Sequence, residues 1–580
     1  MLLGGRTRRS GLRKRRLSEE LQRAHAMHDS GNVAEARSLC EGILSRDPVN
    51  ADAHALLGVV HGEQGDLELA LTHFTEAIRI SPEAEIAHVG LGNIYRLRDA
   101  PEDAAASYRR ALAIDDRSPV AHFGLGMALR QTNDLRGAIE HLARAVVLSP
   151  GLSEAAIECA RLQIHLGDHE GAVALIAKAL NANRSIGGLH ATLGLAHQKM
   201  HNPQQALKCY EEARALGWSD AEFMNNRGYV LQELGRLPEA LACYDEAIAL
   251  QPDFPVAKFY RALARLLTGD YVRGWLDYET RLISEDRPRR AESYPRWSGE
   301  RLEGRTILVW GEQGLGDEIM FASCLSEIIG AAKRCVIECE PKLETLLRRS
   351  FPRARVYAAR PDRSIPDEIK AEAIDCEVPI GSLPLYLRRS VGDFPRHHGY
   401  LRADPALIAK WRGRLASLGP GVKVGISWKG GTQLTRSPLR SVPLPALRPI
   451  LSVPDVTFIS LQYGNVTDEI EAYGSRYGRQ IVHWQEAIEN YDECAALVSA
   501  LDLVISVQTA VVHLTGALGR TAWAMVPYGP EWRYGASGDG MPWYPALKIF
   551  RQASFGDWDP VIDRISREVA TVRGGAGAPS

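Results

Sequence analysis

Residues 221–254 read AEFMNNRGYVLQELGRLPEALACYDEAIALQPDF, one copy of a 34-residue unit that occurs eight times in the first half of the chain. The copies align in two columns of small residues. The first column is Ala24, Gly58, Gly92, Gly126, Ala160, Gly194, Gly228 and Ala262. The second column is Ala36, Ala70, Ala104, Ala138, Ala172, Ala206, Ala240 and Gly274. Glycine inside a helix costs about 1 kcal/mol relative to alanine, so its recurrence at a fixed position predicts that another backbone approaches closely there.

Bulky residues and turn residues keep the same period. The bulky column is Phe74, Tyr108, Leu142, Ile176, Tyr210, Tyr244 and Tyr278. A turn residue such as Gly31, Gly65 or Gly235 separates two helical stretches in most units. An irregular helical bundle has no reason to keep such columns, whereas the 34-residue period resembles the tetratricopeptide (TPR) repeat, a helix–turn–helix unit. Stacked units of this kind form an α-solenoid whose concave face suits extended peptides.

Composition and charge are ordinary for a globular protein. The 580 residues are 45% hydrophobic and 24% charged, and the formal net charge is -2. A chain of this length predicts at least two domains, and its charge does not indicate nucleic acid or a membrane surface as a partner of the whole chain. No run reaches the ~18 apolar residues of a membrane span, and no secretory signal is visible. We therefore expect a cytoplasmic protein without a transmembrane segment.

Two local features concern the first residues and the cysteines. Residues 1–17 carry seven basic side chains and no acidic one. This pattern predicts a basic disordered tail, with contact to an anionic surface or nucleic acid as the alternative. The nine cysteines are scattered and lack the paired spacing of a metal site, so we expect reduced core thiols and no metal.

The pattern along the chain changes after the repeats. Helical units cover residues 18–284, a charged linker covers 285–305, and alternating strand and helix signals fill the rest. Strands that alternate with helices predict parallel, doubly wound sheets, so we expect two Rossmann-like domains over 306–405 and 406–580. The predicted strands are 306–310, 335–339, 356–358, 377–380, 422–428, 456–461, 481–484, 503–507 and 522–526.

The junction after the first of these strands is rich in glycine. Residues 310–319 read WGEQGLGDEI and contain Gly311, Gly314 and Gly316. Such glycines let backbone N–H groups approach an anion at a helix N-terminus, although neither the Walker nor the dinucleotide motif is present. Asp317 follows them. It is either a helix N-cap or first-turn acid that the helix dipole stabilises, or a general base that takes the proton of an attacking hydroxyl.

A basic cluster follows the strand predicted at 422–428. Residues 425–443 read GISWKGGTQLTRSPLRSVP and contain Lys429, Arg436 and Arg440. These cations beside a glycine turn suit a diphosphate, whose charge must be neutralised. Basic loops are also common on protein surfaces, so the cluster alone is a weak signal.

The most specific stretch is 502–519, DLVISVQTAVVHLTGALG. It predicts a buried strand, a tight turn at Gln508, and a helix that carries His513 one turn in. Thr509 and the N–H groups after it would meet a phosphate at the start of that helix. His513 either faces this phosphate or is a core histidine.

Residues 309–321, 440–444 and 506–519 resemble TPR-containing proteins whose C-terminal half is similar to glycosyltransferase family 9, the relatives of ADP-heptose–lipopolysaccharide heptosyltransferases. The PRWSG run at 295–299 and the tract 527–545 also fit this grouping. The resemblance covers most of the chain. It implies a GT-B fold of two Rossmann-like domains and an inverting transfer from a nucleotide sugar without a metal or cofactor.

The resemblance also implies roles for particular residues. Asp317 corresponds to the family's general base, and Thr509 with His513 corresponds to its donor-diphosphate motif. That motif begins with aspartate in the family, whereas Gln508 stands there in this chain. A neutral amide can donate and accept hydrogen bonds but supplies no carboxylate.

We therefore expect a glycosyltransferase that moves a sugar from a nucleotide-diphosphate donor to a hydroxyl. The glycine loop would shape the acceptor side, and the residues expected at the donor are Lys429, Arg436, Arg440, Gln508, Thr509 and His513. The concave face of the repeats would recruit a protein or glycan acceptor. One alternative is a TPR interaction scaffold with a degenerate GT-B domain. Another is a protein O-glycosyltransferase, since the layout resembles that of O-GlcNAc transferases.

Overall fold

The computed structural model describes residues 4–283, 294–362, 364–431 and 437–572. The chain forms two compact units, Met1–Trp218 and Ser219–Ser580. The division therefore falls inside the repeats, whereas the sequence predicts a boundary at the linker 285–305. Among the helices of the described ranges, none is long and apolar enough to cross a membrane.

The first unit consists of TPR helical hairpins. Its helices are α1 Gly4–Asp29, α2 Val33–Leu44, α3 Ala51–Glu63, α4 Leu67–Ile80, α5 Glu85–Leu97, α6 Pro101–Ile114, α7 Pro119–Gln131, α8 Leu135–Leu148, α9 Ser153–His165, α10 His169–Ala182, α11 Gly187–Lys199 and α12 Pro203–Ala215. Helix α1 includes most of the segment predicted as a disordered tail. Ion pairs one helical turn apart, Arg15–Glu19 and Arg16–Glu20, support the helix there.

The small-residue column lies against bulky side chains. A Cβ atom added to Gly58 would lie 2.5 Å from the ring of Phe74, and one added to Gly194 would lie 2.5 Å from the ring of Tyr210. The expected close approach of a backbone is present at two other glycines of the column, since an added Cβ atom would lie 3.1 Å from the carbonyl oxygen of Ala138 at Gly126 and 3.2 Å from that of Ala240 at Gly228. Each of these glycines makes room for a residue of the bulky column in the second helix of its own repeat.

The second unit begins with the last two repeats. Their helices are α13 Ala221–Glu233, α14 Leu237–Leu250, α15 Pro255–Leu267 and α16 Tyr271–Tyr278. Trp275 of α16 is 1% exposed, and its indole N–H donates to the carbonyl oxygen of Arg388 at 2.8 Å. Its ring meets those of Phe321 and Trp532 edge-on. The last repeat thus belongs to the core of the α/β region.

The first sheet is parallel, with strand order β3-β2-β1-β4. Its strands are β1 Thr306–Trp310, β2 Arg334–Cys339, β3 Arg355–Ala358 and β4 Cys376–Pro379. Its helices are α17 Leu315–Phe321, α18 Leu325–Ala331, α19 Glu344–Ser350, α20 Asp367–Lys370 and α21 Leu383–Leu387. Strand β1 pairs with both β2 and β4, so the loop after β1 lies in the middle of the sheet's carboxyl edge.

The second sheet is also parallel, with strand order β6-β5-β7-β8-β9. Its strands are β5 Val422–Ser427, β6 Val456–Ser460, β7 Leu503–Val507, β8 Ala522–Val526 and β9 Leu547–Arg551. The helices around it are α22 Pro405–Ala416, α23 Ser437–Arg440, α24 Arg448–Leu451, α25 Thr467–Tyr477, α26 Gln485–Glu489, α27 Tyr491–Ala500, α28 Ala510–Ala517 and α29 Asp559–Val569. Strand β6 lies on one side of β5, whereas β7, β8 and β9 follow in order on the other side. Doubly wound sheets bind ligands at such a switch point, here between β5 and β7.

The predicted fold class is confirmed, with TPR hairpins followed by two parallel α/β sheets consistent with Rossmann-like domains. Two details differ. Residues 481–484 contribute only an isolated bridge between Ile459 and Val482, because the short segment pairs with a single residue of β6. The edge strand β9 was not predicted.

Candidate functional site

A cavity of about 740 Å³ lies at the carboxyl edges of both sheets. The segments that line it follow β1, β5, β6, β7 and β8 directly in the chain. They include Asp317, Arg440, Tyr463, Gln508 and Arg533. Loops at the carboxyl ends of parallel strands form the ligand sites of open α/β sheets, so this cavity is the candidate functional site.

The last two repeats form another wall of the same cavity. Tyr229 of α13 and Phe259, Tyr260 and Leu263 of α15 line it, all of them half-buried. The aromatic rings continue toward the α/β region, since Phe259 packs on Tyr278 with ring centroids 5.8 Å apart. No sequence pattern predicted that side chains of the repeats line this cavity.

The glycine loop after β1 fits tightly against the second sheet's helix α28. A Cβ atom on Gly316 would lie 3.2 Å from the ring of His513 and 3.3 Å from the Cα atom of Ala510. Gly314 and Gly316 line the cavity. Gly311 does not line it but attaches the start of the loop to strand β2, because its N–H donates to the carbonyl oxygen of Glu338 at 3.0 Å. Glycine at 316 therefore permits the close contact of α17 with α28.

The last repeat also holds this loop in place. The Tyr278 hydroxyl donates to Oε1 of Gln313 at 2.7 Å. The buried Arg281 guanidinium donates to Oε1 of Glu312 at 3.0 Å and to the Ser382 hydroxyl at 2.7 Å. Two residues of the glycine loop are thus bound by side chains of the repeat region.

Asp317 lies in the first turn of α17 and points into the cavity, where it pairs with Arg533. The guanidinium Nε donates to Oδ1 of Asp317 at 2.7 Å, and Nη2 donates to the same oxygen. Both side chains are mostly buried, with 16% of Arg533 and 19% of Asp317 exposed. The N-cap residue of α17 is Gly314, so Asp317 is not the cap but an acid of the first turn, where the helix dipole favours a negative charge.

A second arginine lies nearby. Arg440 donates to the backbone oxygen of Gln508 at 2.6 Å, and its Nη1 lies 3.5 Å from Oε1 of Glu531. The other oxygen of Glu531 lies 3.4 Å from Nη1 of Arg533. Burial acts to lower the pKa of Arg533, but the carboxylates of Asp317 and Glu531 outweigh it and raise that pKa. The guanidinium of Arg533 is therefore charged.

The turn between β7 and α28 places Gln508 and Thr509 on the cavity wall. Gln508 is 1% exposed, and within the described part of the chain neither its Oε1 nor its Nε2 has a hydrogen-bond partner. Thr509 is the N-cap residue of α28, and its hydroxyl lies 2.9 Å from that of Ser506. Buried amide groups without partners are costly, so the amide of Gln508 is available to a ligand.

His513 lies one turn into α28, as predicted, and is buried. Burial, followed by the nearby charges of Arg533 and Arg440, lowers its pKa to about 3. Its Nδ1 lies 3.2 Å from the Tyr544 hydroxyl. His513 is thus a neutral hydrogen-bonding group at neutral pH and adds no charge to the cavity.

The structure does not bring all of the predicted donor residues together. Lys429 is half-exposed and pairs with Glu469 at 2.6 Å, and it is not among the described residues that line the cavity. Arg436 lies outside the described residues. Asp317, Arg440, Gln508, Thr509 and His513 do share the cavity.

Sequence reasoning missed Arg533 and Glu531. They belong to the run 530–534, PEWRY, inside the tract 527–545 that contributed to the family resemblance. The signal that could have found them is their position just after β8, since strands β5 and β7 of the same sheet are already followed by candidate residues.

Comparisons with known proteins agree with the repeat part of this architecture. Tetratricopeptide repeat models match residues 21–85, 61–119, 95–153, 192–253 and 227–288, and a second tetratricopeptide repeat model matches 129–193. Protein FlbA of Caulobacter vibrioides is 31% identical over 415 residues, which cover 68% of this chain and 69% of FlbA. The chain belongs to the FlbA family. The name FlbA states neither an activity nor a substrate.

Two solved structures resemble a smaller part of this FlbA-family chain. Pseudomonas aeruginosa PilF is 21% identical and covers 38% of this chain and 99% of its own, with a TM-score of 0.34. YrrB, described as a TPR protein with an unusual peptide-binding site, is 18% identical and covers 39% and 98%, with a TM-score of 0.28.

Proposed function

We propose that this protein is a glycosyltransferase that moves a sugar from a nucleotide-diphosphate donor to a hydroxyl acceptor. One observation carries the proposal: a single cavity holds a carboxylate, two guanidinium groups, a buried amide without partners and the start of a helix. These are the groups that a general base and a diphosphate site require.

The donor side is the β5–β7 crevice. Arg440 supplies a cation, and the first turn of α28 directs N–H groups toward the same space. The Gln508 amide can donate to a phosphate oxygen or bond the ribose. Lys429 stays a predicted donor residue, but its role requires that it leave Glu469.

The acceptor side is the glycine loop together with the repeat wall. In an inverting transfer, the acceptor oxygen forms a bond to the anomeric carbon while the bond from that carbon to the phosphate oxygen breaks. The electron pair leaves on the diphosphate, and the acceptor proton passes to Asp317. The half-buried rings of Tyr229, Phe259 and Tyr260 face the cavity and would contact the acceptor.

The test combines nucleotide binding with Asp317→Asn. We expect the full-length protein to bind at least one of ADP, GDP, UDP and CDP in isothermal titration. With the matching sugar nucleotide, Asp317→Asn should reduce transfer by about 10²–10⁴, the usual cost of losing a general base, while nucleotide binding persists. Normal transfer by the variant would refute the base assignment.

A TPR scaffold with an inactive α/β region is the second candidate, and Gln508 is the observation in its favour. If the glutamine has removed activity, Gln508→Asp should restore nucleotide binding or transfer. If the site is active with glutamine, the added charge should weaken binding of a diphosphate. Absence of nucleotide binding in both forms would support the scaffold.

A further inference from the structure

The Asp317–Arg533 pair conflicts with the role proposed for Asp317. Oδ1 of the carboxylate accepts from two nitrogens of one guanidinium. Such charge-assisted hydrogen bonds are strong, and both of them occupy the same carboxylate oxygen. The guanidinium must therefore leave Oδ1 before the hydroxyl of an acceptor can donate its hydrogen bond to that oxygen.

The charged residues of the cavity indicate which ligand could compete with Asp317 for the Arg533 guanidinium. Among the described residues that line it, the cations are Lys342, Arg440 and Arg533, and the acids are Glu233, Asp317 and Glu531. Among the described residues of the cluster around Asp317, two guanidinium groups face two carboxylates, and His513 is neutral. A diphosphate brings further negative charge into this mostly buried space and must share the existing guanidinium groups.

The position of Arg533 allows it to bind either the carboxylate of Asp317 or a diphosphate in the donor crevice. Its guanidinium lies 5.0 Å from the centroid of the Trp532 ring, a cation–π contact that does not use its hydrogen-bond donors. On one side it bonds Asp317, and on the other Glu531 lies between it and Arg440. Arg440 in turn bonds the backbone of Gln508 in the donor crevice.

We propose that Arg533 binds the donor's diphosphate. When its guanidinium exchanges Asp317 for the diphosphate as hydrogen-bond partner, the carboxylate of Asp317 becomes free to act as the base. The inference rests on the proposed function and adds a diphosphate-binding residue to it. Before donor binding, Arg533 occupies Oδ1 of Asp317. With donor bound, Arg533 offsets the charge that develops on the leaving diphosphate, and Asp317 Oδ1 is open to the acceptor hydroxyl.

The experiment is a double-mutant cycle on the full-length protein with nucleotide affinity as its readout. The probe is whichever of ADP, GDP, UDP and CDP binds the unmodified protein most tightly. Its Kd is measured for the unmodified protein, Asp317→Asn, Arg533→Gln and the double variant. The quantity of interest is the gain in affinity from Asp317→Asn with and without Arg533.

The sign of the coupling decides the outcome. If Asp317 and the diphosphate compete for Arg533, Asp317→Asn releases the arginine, and affinity rises about tenfold with Arg533 present but about threefold or less without it. If Arg533 merely neutralises Asp317, the order reverses, because the unshielded carboxylate repels the nucleotide most when the arginine is absent. A reversed or absent coupling with nucleotide binding intact overturns the inference and leaves the proposed function standing.

Failure of all four nucleotides to bind overturns the proposed function and this inference together. Arg533→Lys is measured in parallel, because Arg533→Gln leaves Asp317 buried without its cation and could lower the yield of folded protein. Lysine keeps the charge but not the guanidinium's paired donors, and the same sign of coupling is expected with it. Asp277→Asn is the matched control, since Asp277 forms a similarly buried pair with Arg261 at 2.7 Å and does not line the cavity. Its effect on nucleotide affinity should be below about twofold.

Discussion

His513 is buried beside two guanidinium groups, and this position determines its charge. Its pKa falls to about 3, whereas the unfolded histidine titrates near 6.5. Between these values the unfolded state binds a proton that the folded state does not. The stability from neutral His513 is therefore fully present above about pH 6.5 and is lost progressively as the pH falls toward 3.

This shift predicts an acid sensitivity that depends on one residue. Each pH unit below 6.5 should cost about 1.4 kcal/mol through His513. In His513→Gln, the fall in the free energy of unfolding between pH 7.5 and pH 5.5 should therefore be smaller by about 1.4 kcal/mol. Urea denaturation followed by tryptophan fluorescence measures it. His165→Gln is the control, because His165 is exposed; an equal effect of both variants would contradict the assignment.

At the scale of elements, the contact between α17 and α28 brings Asp317 close to the donor crevice. Gly316 lies at this contact, where an added Cβ atom would be 3.3 Å from the Cα atom of Ala510. Since Ala510 Cα is main chain, it cannot rotate away as a side chain would. A larger residue at 316 must move one of the two helices.

We therefore expect Gly316→Val to destabilise the protein by about 1–3 kcal/mol, the range for overpacked contacts. Nucleotide binding should weaken as well, because α28 carries Thr509 and follows Gln508. Gly330→Val is the matched control, since Gly330 lies in helix α18 with no atom within 4 Å of its added Cβ. Melting temperature and titration calorimetry compare the two. Equal melting temperatures would show that the contact between α17 and α28 adapts at little cost.

The sequence predicted the elements of this contact better than the contact itself. Strands β1, β7 and β8 have the predicted bounds, because continuous apolar runs between turn signals identify buried parallel strands. Edge strand β9 was missed, since its pattern LKIFR includes two charged residues. Asp317, Arg440 and Gln508 were found through glycine turns and family motifs. Arg533 was not, because its only sequence signal is its position after β8, and its ion pair with a residue 216 positions away shows only in the structure.

At the scale of the whole molecule, the last two repeats belong with the α/β region. Trp275 packs against Phe321, Trp532 and Trp543, and the carbonyl oxygen of Leu267 accepts from the N–H of Ala536 at 3.0 Å. Compact unit two begins at Ser219 accordingly. A boundary drawn at the change from helical repeats to strands would cut through this core. The 34-residue period continues unchanged past Trp218, so the sequence does not show that the packing divides the chain there.

The final prediction concerns where the protein can be divided. A chain of residues 219–580 should fold and bind the same nucleoside diphosphate as the full-length protein. A chain of residues 301–580 should be unstable, because it exposes Trp532 and Trp543 and loses Tyr278 from the glycine loop. Truncating a buried tryptophan alone costs about 3–5 kcal/mol, so Trp275→Ala in residues 219–580 should lower the melting temperature markedly. Circular dichroism melts and titration calorimetry compare the full-length protein, the chains 219–580 and 301–580, and the Trp275→Ala variant of 219–580. A chain 301–580 that melts and binds like 219–580 would show that the repeats serve only to recruit partners, and that the repeat wall is no part of the site.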